Sequence, residues 1–514
     1  MKYKTSSSLR RKTAYQDSVI ISSFICLLIV LGFLQTSDRF LHWFLIPVTL
    51  CGILIGIDAV NWFRSRLNIF DPVGIFGLLG LHFFFLAPLL HVSWDMWLGR
   101  DTIPPPDWRP WVGGMAILNF LGLLVYRLSI SPGIKPKKSS SVQTVWTINQ
   151  QRFWPILWIA MILSACLQML VYIKFGGISS YMQAATNIND MAAREEKFQG
   201  MGIVFLFSES FPILGMMGFA VHVQKNKREI SWSILIGVFI IFLVLQMLFG
   251  GLRGSRSNTI WALFWAAGIV HFWIRHITKK QIAIGLVFIC FFMYLYGFFK
   301  HAGMEGVETA FKGQEDRVEL EQKAGRSWES MLLQDLGRTD IQAFLLYRLM
   351  RFDSDYEYAW GRTYLAALSV FIPSRLWPFD EMPANKSKEG TNAQYGMGSY
   401  AEGLWVSSRV YGLAGETMLN FGPFLIPFSF IVIGLFVRQV KRWLLNWNES
   451  DSRVLLLPLL VNLCFIILVS DLDNNLFILL KQGGFPFVVI WLGSHKKLVQ
   501  NKALNFSDSS QKIT

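Results

Sequence analysis

The chain has 514 residues, 53% of them hydrophobic, and a mean hydropathy of +0.39. A single soluble core cannot bury that much apolar surface, so the composition excludes an ordinary soluble domain. The formal net charge of +14 would suggest a nucleic-acid partner in a soluble protein. Here the basic residues lie in short clusters between apolar runs of about 18–22 residues, roughly the length of a membrane-crossing helix. We therefore expect an integral membrane protein with no nucleic-acid partner.

Apolar runs of spanning length recur along the chain and predict about twelve transmembrane helices. The first run follows a basic segment and has no small-residue cleavage site after it, so we interpret it as an uncleaved span. The expected fold class is an all-α polytopic membrane protein, with residues 1–514 forming one multispanning domain. The predicted spans are 18–35, 41–59, 71–91, 111–127, 154–173, 201–222, 231–249, 257–274, 281–299, 420–437, 454–470 and 475–493.

The basic residues alternate between the junctions that join these spans. Short cytoplasmic loops collect Lys and Arg, so a regular alternation reports the topology. The first external loop carries Arg39 alone, and the second carries Arg100 and Arg109. We therefore expect both termini to be cytoplasmic. The cytoplasmic clusters are Lys2, Lys4, Arg10, Arg11 and Lys12; Arg64 and Arg66; Lys135, Lys137 and Lys138; Lys225, Lys227 and Arg228; Arg275, Lys279 and Lys280; Arg438, Lys441 and Arg442; and Lys496 and Lys497.

One long connection, residues 300–416, interrupts this rhythm between the ninth and tenth predicted spans. The topology makes it a large external, periplasmic loop. Apolar residues at helical spacing over 328–352 predict an amphipathic helix that lies on the membrane. The apolar stretch 364–372 is too short to span and predicts an interfacial or re-entrant segment. Because the chain shows no halfway repeat, this asymmetry favours an externally facing site over alternating access.

The cysteines and the common cofactor motifs give no sign of a metal or a nucleotide. All five cysteines lie inside apolar runs and lack metal-ligand spacing, so we expect neither a disulfide framework nor a zinc site. The sequence contains no Walker loop, dinucleotide fingerprint, HExxH or serine-nucleophile elbow. We therefore expect no cofactor. The cysteines are Cys26, Cys51, Cys166, Cys290 and Cys464.

The segment GGLRGSRSN (250–258) joins two predicted spans at the external face. Its arginines, Arg253 and Arg256, together with backbone N–H groups at a helix start, suit a phosphate or diphosphate. Arginines that only snorkel to lipid headgroups are the alternative. Since the positive-inside rule makes arginines at the external face less expected, we favour a functional role.

Glu209 and Lys481 are charged residues inside predicted spans. Counted from the external helix ends, they lie roughly 12 Å and roughly 9 Å deep. An intramembrane carboxylate is a functional candidate by default. A structural ion pair between the two residues and a catalytic role both remain open.

Several weaker patterns lie in or near the long loop. Asp353-Ser-Asp355 and Asp471-Leu-Asp473 match a metal-binding pair of nucleotide-sugar transferases, but the pattern is common by chance. His301 is a lone external histidine and a weak acid–base candidate. Four loop tryptophans could stack on sugar rings, although Trp is also the usual residue of membrane interfaces. These tryptophans are Trp328, Trp360, Trp377 and Trp405.

Three segments resemble the Wzy-type O-antigen or oligosaccharide repeat-unit polymerases of bacteria. They are GGLRGSRSNTIWALFW (250–265), WGRTYLAALSVFIPSRLWP (360–378) and GETMLNFGPFLIPFSFIVIGLF (415–436). Their order, the late external loop and the span count agree with that family. Where many members carry a Lys-Pro pair after the Trp-Pro, this chain has Phe379-Asp-Glu-Met-Pro383, so no lysine role is carried over.

The resemblance implies glycosyl transfer at the external face of the bacterial inner membrane. A growing glycan on undecaprenyl diphosphate would move onto another lipid-linked repeat unit. Donor, acceptor and membrane lipids would be the partners, and a flippase and a chain-length regulator are further candidates. An O-antigen ligase-like transferase and a lipid-linked oligosaccharide flippase or other transporter are the alternatives.

This expected chemistry needs cations for the leaving diphosphate and a base for the acceptor hydroxyl. We assign the diphosphate to Arg253 and Arg256, with Arg375 as a third contact. Glu416 is the preferred base because it lies just before a span, where desolvation could raise its pKa. Asp340 is the second choice. Helix capping is the alternative role of both carboxylates.

Overall fold

A computed structural model gives the structure of most of the chain. Eleven helices in its described part are long and apolar enough to cross a membrane. This confirms the prediction of an all-α polytopic membrane protein. The described residues are 4–98, 103–130, 142–186, 201–226, 230–253, 256–311, 327–351, 354–369, 383–400, 409–448 and 450–500.

The helices have the following bounds in chain order: α1 (Lys4–Thr36), α2 (Leu45–Phe63), α3 (Pro72–Trp94, with a π-helical segment His82–Leu86), α4 (Arg109–Ile130), α5 (Gln150–Lys174), α6 (Ile178–Thr186), α7 (Gly202–Ser208), α8 (Phe211–Asn226), α9 (Trp232–Phe249), α10 (Arg256–Ile269), α11 (Lys279–Ala310), α12 (Thr339–Met350), α13 (Arg362–Ser369), α14 (Lys386–Tyr395), α15 (Gly412–Phe421), α16 (Ile426–Asn446), α17 (Leu457–Val469) and α18 (Leu472–Gly493). Two strands, β1 (Val142–Ile148) and β2 (Ser494–Gln500), pair antiparallel. Shorter helical segments are Asp38–Phe40, Gly251–Arg253, Val270–Ile274, Trp328–Ser330, Met331–Asp335, Pro423–Leu425 and Ser452–Leu456.

The predicted span 257–274 is not among the eleven, although a helix forms there. It consists of α10, which the segment Val270–Ile274 continues as a π-helix. Just past its end, Nη1 of Arg275 donates a hydrogen bond of 3.1 Å to the carbonyl of Ile230, which precedes α9. Because α10 begins beside the end of α9, it runs back along the full length of that neighbour.

Local sequence explains where α3 begins. Asp71 accepts a hydrogen bond of 2.9 Å from the backbone N–H of Val73, and Pro72 occupies the first helical position. An aspartate cap followed by proline is a strong helix start. The other carboxylate oxygen of Asp71 lies 3.2 Å from Nζ of Lys441, so the cap also ties α3 to α16.

Contacts between junctions divide the bundle into two ends. The ribbon end contains β1 and β2, and the residues that bond there come from the segments predicted to be cytoplasmic. Nζ of Lys279 donates to the carbonyls of Trp62 and Phe63 at 2.7 and 2.8 Å. Other ribbon-end contacts are Arg66–Asp17 (3.4 Å), Lys441–Asp71 (3.2 Å) and Trp146 N–Asp451 (3.4 Å).

The opposite end, here called the loop end, gathers the junctions predicted to be external. Arg39 pairs with Asp95 at 3.2 Å, which joins the connection after α1 to the connection after α3. Arg109 donates to the carbonyl of Arg39 at 3.4 Å. The contacts thus separate the junctions as the charge pattern predicts, while the assignment of each end to a compartment stays a prediction.

The predicted surface helix over 328–352 is wrong in two respects. The helical part is broken at Gly337 and Arg338, and α12, which follows the break, is buried rather than interfacial. Phe344 and Leu345 are 1% and 0% exposed. Gln342 is also buried, and its Nε2 donates to the carbonyl of Tyr411 at 2.9 Å. Since α12 has apolar or hydrogen-bonded residues on nearly every side, it packs inside the bundle.

The second loop prediction, an interfacial or re-entrant stretch at 364–372, falls partly on α13 (Arg362–Ser369). Residues 370–372 lie outside the described part. Near the start of this helix, Thr363 is buried, whereas Leu365 and Leu368 are 46% and 49% exposed. The helix therefore turns one side towards the loop-end residues described next.

Candidate functional site

Glu416 lies at the loop end in α15, the short helix that precedes α16. Its side chain is 3% exposed. Oε1 accepts a hydrogen bond of 3.0 Å from Oγ1 of Thr363, and Oε2 accepts one of 2.7 Å from the backbone N–H of Leu472. One carboxylate therefore joins α13, α15 and the first residue of α18. Two accepted bonds leave further lone pairs on a carboxylate that can accept about four.

Asp471 fixes the start of the Glu416 helix. Its Oδ1 accepts from the backbone N–H groups of Tyr411 and Gly412 at 2.9 and 2.8 Å. Gly412 has φ +70°, and a Cβ there would lie 2.3 Å from the carbonyl oxygen of Leu468. Only glycine accepts this backbone conformation so close to another chain segment. The first turn of α15 is thereby held against the junction between α17 and α18.

Lys386 lies between two carboxylates at the same place. Its Nζ is 2.8 Å from Oδ2 of Asp471 and 3.1 Å from Oδ1 of Asp473. Asp471 is fully buried, whereas the side chain of Asp473 is 33% exposed. Burial disfavours the charged form of Lys386, but the two carboxylates outweigh burial and raise its pKa. The ammonium lies between the two carboxylates of the Asp471-Leu-Asp473 motif.

The surroundings of Glu416 make its carboxyl a weak acid. Burial raises the pKa of Glu416 to about 8, and the negative charge of Asp471 acts in the same direction. The N–H of Leu472 and the hydroxyl of Thr363 oppose this rise because they bond the ionised form. A buried carboxyl that titrates near neutral pH can accept and release a proton during a reaction. The burial expected from the sequence is observed, and the catalytic role stays a prediction.

A strained turn lies next to Thr363. Asn420 donates from Nδ2 to Oγ1 of Thr363 at 2.7 Å, and its Oδ1 accepts from the N–H of Gly361 at 2.9 Å. The N–H of Trp360 donates to the carbonyl of Asn420 at 2.9 Å. Trp360 has φ +46° and is 73% exposed. A left-handed conformation costs a residue with a side chain about 1–2 kcal/mol, so these bonds hold the indole outward against strain.

Carboxylates are in excess around this site. Arg362 is half exposed, and its Nε lies 3.0 Å from Oε1 of the buried Glu389. The hydroxyl of Tyr356 donates to the other oxygen of Glu389 at 3.2 Å. Within the described residues, Arg362 and Lys386 contact these carboxylates directly, and the charge of Arg338 also acts on Asp471. The carboxylates are Glu389, Glu416, Asp471 and Asp473.

Asp340 does not join this group. It is 4% exposed in the first turn of α12, and its Oδ1 accepts from the N–H of Ile341 at 2.7 Å. Its charge acts on His91 and Arg338. No contact within the described residues links Asp340 to Glu416. The local bond is that of a helix-start residue, the alternative role considered for it.

The structure gives no side-chain position for the predicted diphosphate ligands. Arg253 ends a short helical turn and Arg256 begins α10, but the side chains of both lie outside the described part. Arg375 lies in 370–382, also outside it. Their binding role therefore stays a prediction.

Glu209 and Lys481 are in contact, which confirms the ion-pair interpretation of their positions. Oε2 of Glu209 pairs with Nζ of Lys481, and the side chains are 1% and 0% exposed. Glu209 lies at the break between α7 and α8. A Cβ on Gly250 would lie 2.5 Å from Oε2 of Glu209, so the turn after α9 rests on the pair.

Comparisons with known proteins leave the site to be judged on its own geometry: no family model, no curated protein and no solved structure matches the chain. The fold and the loop-end cluster define an α-helical, polytopic membrane protein with a buried, titratable carboxyl at one end of its bundle.

Proposed function

We propose that this chain polymerises lipid-linked oligosaccharide repeat units at the external face of the bacterial inner membrane. The observation that supports this proposal best is the Glu416 carboxyl. It is buried at the loop end and accepts hydrogen bonds from two other chain segments, and burial raises its pKa to about 8. A base of that pKa suits the activation of a sugar hydroxyl near neutral pH.

In the proposed reaction, Glu416 takes the proton of an acceptor hydroxyl. The hydroxyl oxygen then bonds to the anomeric carbon of the donor glycan. The bond from that carbon to the diphosphate oxygen breaks, and its electron pair leaves with undecaprenyl diphosphate. Negative charge grows on the leaving group, and fixed cations must stabilise it. Arg253, Arg256 and Arg375 are the proposed cations.

The charges around Glu416 favour the acceptor as its substrate. Arg362 and Lys386 already pair with carboxylates here, so the cluster offers a diphosphate little cationic stabilisation. Carboxylates and amides instead suit neutral sugars, whose hydroxyls donate hydrogen bonds. Trp360 has an exposed ring on which a pyranose could stack. Asn420 links it to Thr363, since it accepts from the N–H of Trp360 and donates to Oγ1 of Thr363. We therefore place the acceptor glycan near Glu416 and the donor diphosphate at the arginines.

The transporter alternative would be favoured by intramembrane charges that line an open passage. Glu209 and Lys481 are instead sealed against each other at 1% and 0% exposure. The ligase alternative uses the same donor chemistry, and only the products separate it from a polymerase.

The test uses a deletion strain that is complemented with the wild-type gene, with Glu416→Gln, or with Glu357→Gln. Glu357 is an exposed carboxylate in the same connection and serves as the matched control. We expect Glu416→Gln to be inserted at normal levels while single lipid-linked repeat units accumulate. Glu357→Gln should restore polymer. Accumulation of a full-length lipid-linked glycan would indicate a ligase, and accumulation on the cytoplasmic side would indicate a flippase; either would reject the proposal.

A further inference from the structure

Several polar side chains lie around the Glu209–Lys481 pair, inside the membrane-spanning part of the bundle. They come from five helical segments and are all buried; Gln246 and Gln482, for example, are 1% exposed. Gln246 and Glu209 both lie against Gly250. A Cβ placed on Gly250 would lie 2.5 Å from Oε2 of Glu209 and 3.3 Å from Nε2 of Gln246. The surrounding side chains are those of Gln168, Ser208, Gln246, Thr259 and Gln482.

Hydrogen bonds to backbone carbonyls join the chain segments that carry these side chains. Nε2 of Gln482 donates to the carbonyl of Asn258, next to Thr259, at 2.9 Å. Nε2 of Gln168 donates to the carbonyl of Leu248 at 3.5 Å. Ser210, beside Glu209, donates to the carbonyl of Lys481 at 2.8 Å. These bonds join α5 to the end of α9, and α18 to both α10 and the α7–α8 break. Oγ of Ser164 donates to the carbonyl of Ser208 at 2.7 Å and ties α5 to that break.

Six atoms of this region have no hydrogen-bond partner within the described residues. An unpaired polar atom in a hydrocarbon environment is costly, and no bulk water reaches it there. Buried polar atoms without protein partners are usually satisfied by bound water or an ion. The six atoms are Oε1 of Gln168, Oγ of Ser208, Nε2 and Oε1 of Gln246, Oγ1 of Thr259 and Oε1 of Gln482.

The mixture of atoms identifies the ligand. Nε2 of Gln246 can only donate, whereas the amide oxygens can only accept, and the hydroxyls of Ser208 and Thr259 can do both. A cation would satisfy the oxygens alone and an anion the donors alone. The charges of Glu209 and Lys481 already cancel, so a neutral ligand is required.

We propose that these side chains form an internal site that binds water molecules beside the Glu209–Lys481 pair, within the membrane. A buried water makes about three hydrogen bonds, so six atoms correspond to about two waters. The waters lower the cost of holding the two charges in the bilayer. They also support the turn at Gly250, which leads to Arg253. The site does not depend on the proposed transferase activity.

Radiolytic hydroxyl labelling tests for this water directly, because X-rays generate radicals from water where it is bound. The full-length protein is placed in lipid nanodiscs, and oxidised residues are identified by mass spectrometry. Met247 is the reporter because it lies close to Thr259. A Cβ placed on Gly251 would lie 2.5 Å from Sδ of Met247 and 3.4 Å from Oγ1 of Thr259. Met217, fully buried in an apolar cluster, is the internal control.

We expect Met247 to be oxidised several-fold more than Met217. The double variant Gln246→Leu, Thr259→Val should reduce the oxidation of Met247 to the control level, while exposed Met397 stays labelled as before. Equal labelling of Met247 and Met217 in the wild-type protein would overturn the proposal. Labelling of Met247 that the double variant leaves unchanged would overturn it too, because the radicals would then come from bulk water.

Thermal unfolding provides a second measurement with opposite expectations. If water fills the site, Gln246→Leu removes partners of that water and lowers the Tm. If the site is dry, the same change removes an unsatisfied amide and raises the Tm. Ile241→Leu, on the exposed side of the same helix, is the control and should leave the Tm unchanged.

Discussion

The ammonium of Lys386 lies 2.8 Å from the fully buried carboxylate of Asp471, and through it the lysine is linked to the helix that carries Glu416. Removing one partner of a buried pair leaves an uncompensated charge and costs about 3–5 kcal/mol. We expect Lys386→Met to lower the folded fraction strongly, as measured by size-exclusion chromatography and thermal unfolding. The double change with Asp471→Asn should recover part of the loss. Additive losses would show that the two side chains do not interact.

The raised pKa of Glu416 predicts a pH dependence of stability. A carboxyl with an ordinary value of 4.5 and a folded value of about 8 binds its proton more tightly in the folded state. The free energy of unfolding should therefore fall as pH rises from about 4.5 to about 8, by up to about 1.4 kcal/mol per pH unit. Glu416→Gln should lack this component. Parallel stability profiles for the two proteins would contradict the raised pKa.

The same group predicts the pH dependence of activity. Only ionised Glu416 can accept a proton, so polymerisation measured with purified protein should rise with pH and level off above about 8. Glu416→Asp should retain a part of the activity with a changed profile. A rate that does not change between about pH 6 and about pH 9, the range in which this carboxyl should titrate, would exclude Glu416 as the base.

Membrane topology can be measured with reporter fusions. Fusions after Lys138, Lys227, Lys280 and Arg442 should report the cytoplasm, because these positions follow the basic clusters. Fusions within 310–400 should report the exterior. A cytoplasmic signal from the long connection would place Glu416 on the wrong side for the proposed reaction.

The arginines of the Gly250 turn are predicted to bind the diphosphate. Arg253→Ala or Arg256→Ala should leave protein level and topology intact while polymer disappears and single lipid-linked units accumulate. Arg→Lys should restore only part of the activity, because a point charge replaces a two-pronged donor. If both alanine variants make normal polymer, the headgroup-anchor interpretation is the better one.

Trp360 combines strain with exposure, and the two can be separated by mutation. Trp360→Gly removes about 1–2 kcal/mol of backbone strain from the folded state. Glycine also makes the unfolded chain more flexible, which destabilises the fold by roughly 0.5–1 kcal/mol. The Tm should therefore stay unchanged or rise. The acceptor concentration for half-maximal rate should increase, because the ring is lost. Trp360→Phe should keep most of the affinity. A lower Tm with unchanged acceptor dependence would indicate a membrane anchor instead.

Within the described residues, hydropathy predicts eleven of the twelve spans correctly because a bilayer imposes one length on every crossing helix. It predicts α12 wrongly, because the apolar residues of this buried helix also fit one face of a surface helix. Burial of that helix depends on partners distant in sequence, such as Tyr411, which bonds Gln342. The burial of the Glu416 carboxyl is predictable from its place before a span.

Lys386 could not be identified in the same way. It lies three residues after Pro383, outside the segments that carry the family resemblance, and nothing in the surrounding sequence distinguishes it from a surface lysine. Its partner Asp471 was noticed only as half of a weak metal motif. The pairing depends on tertiary contacts between α14 and the start of α18, which local sequence patterns do not encode.

The ribbon of β1 and β2 has a consequence for biosynthesis. Its two strands, Val142–Ile148 and Ser494–Gln500, are far apart in the sequence. All of the helices from α5 to α18 lie between them. β2 leaves the ribosome only after the eleven spanning helices described above have been made, so β1 waits without its partner while they insert. Closing the ribbon is therefore among the last steps of assembly, and truncation before Ser494 would leave a fully inserted bundle with an open edge.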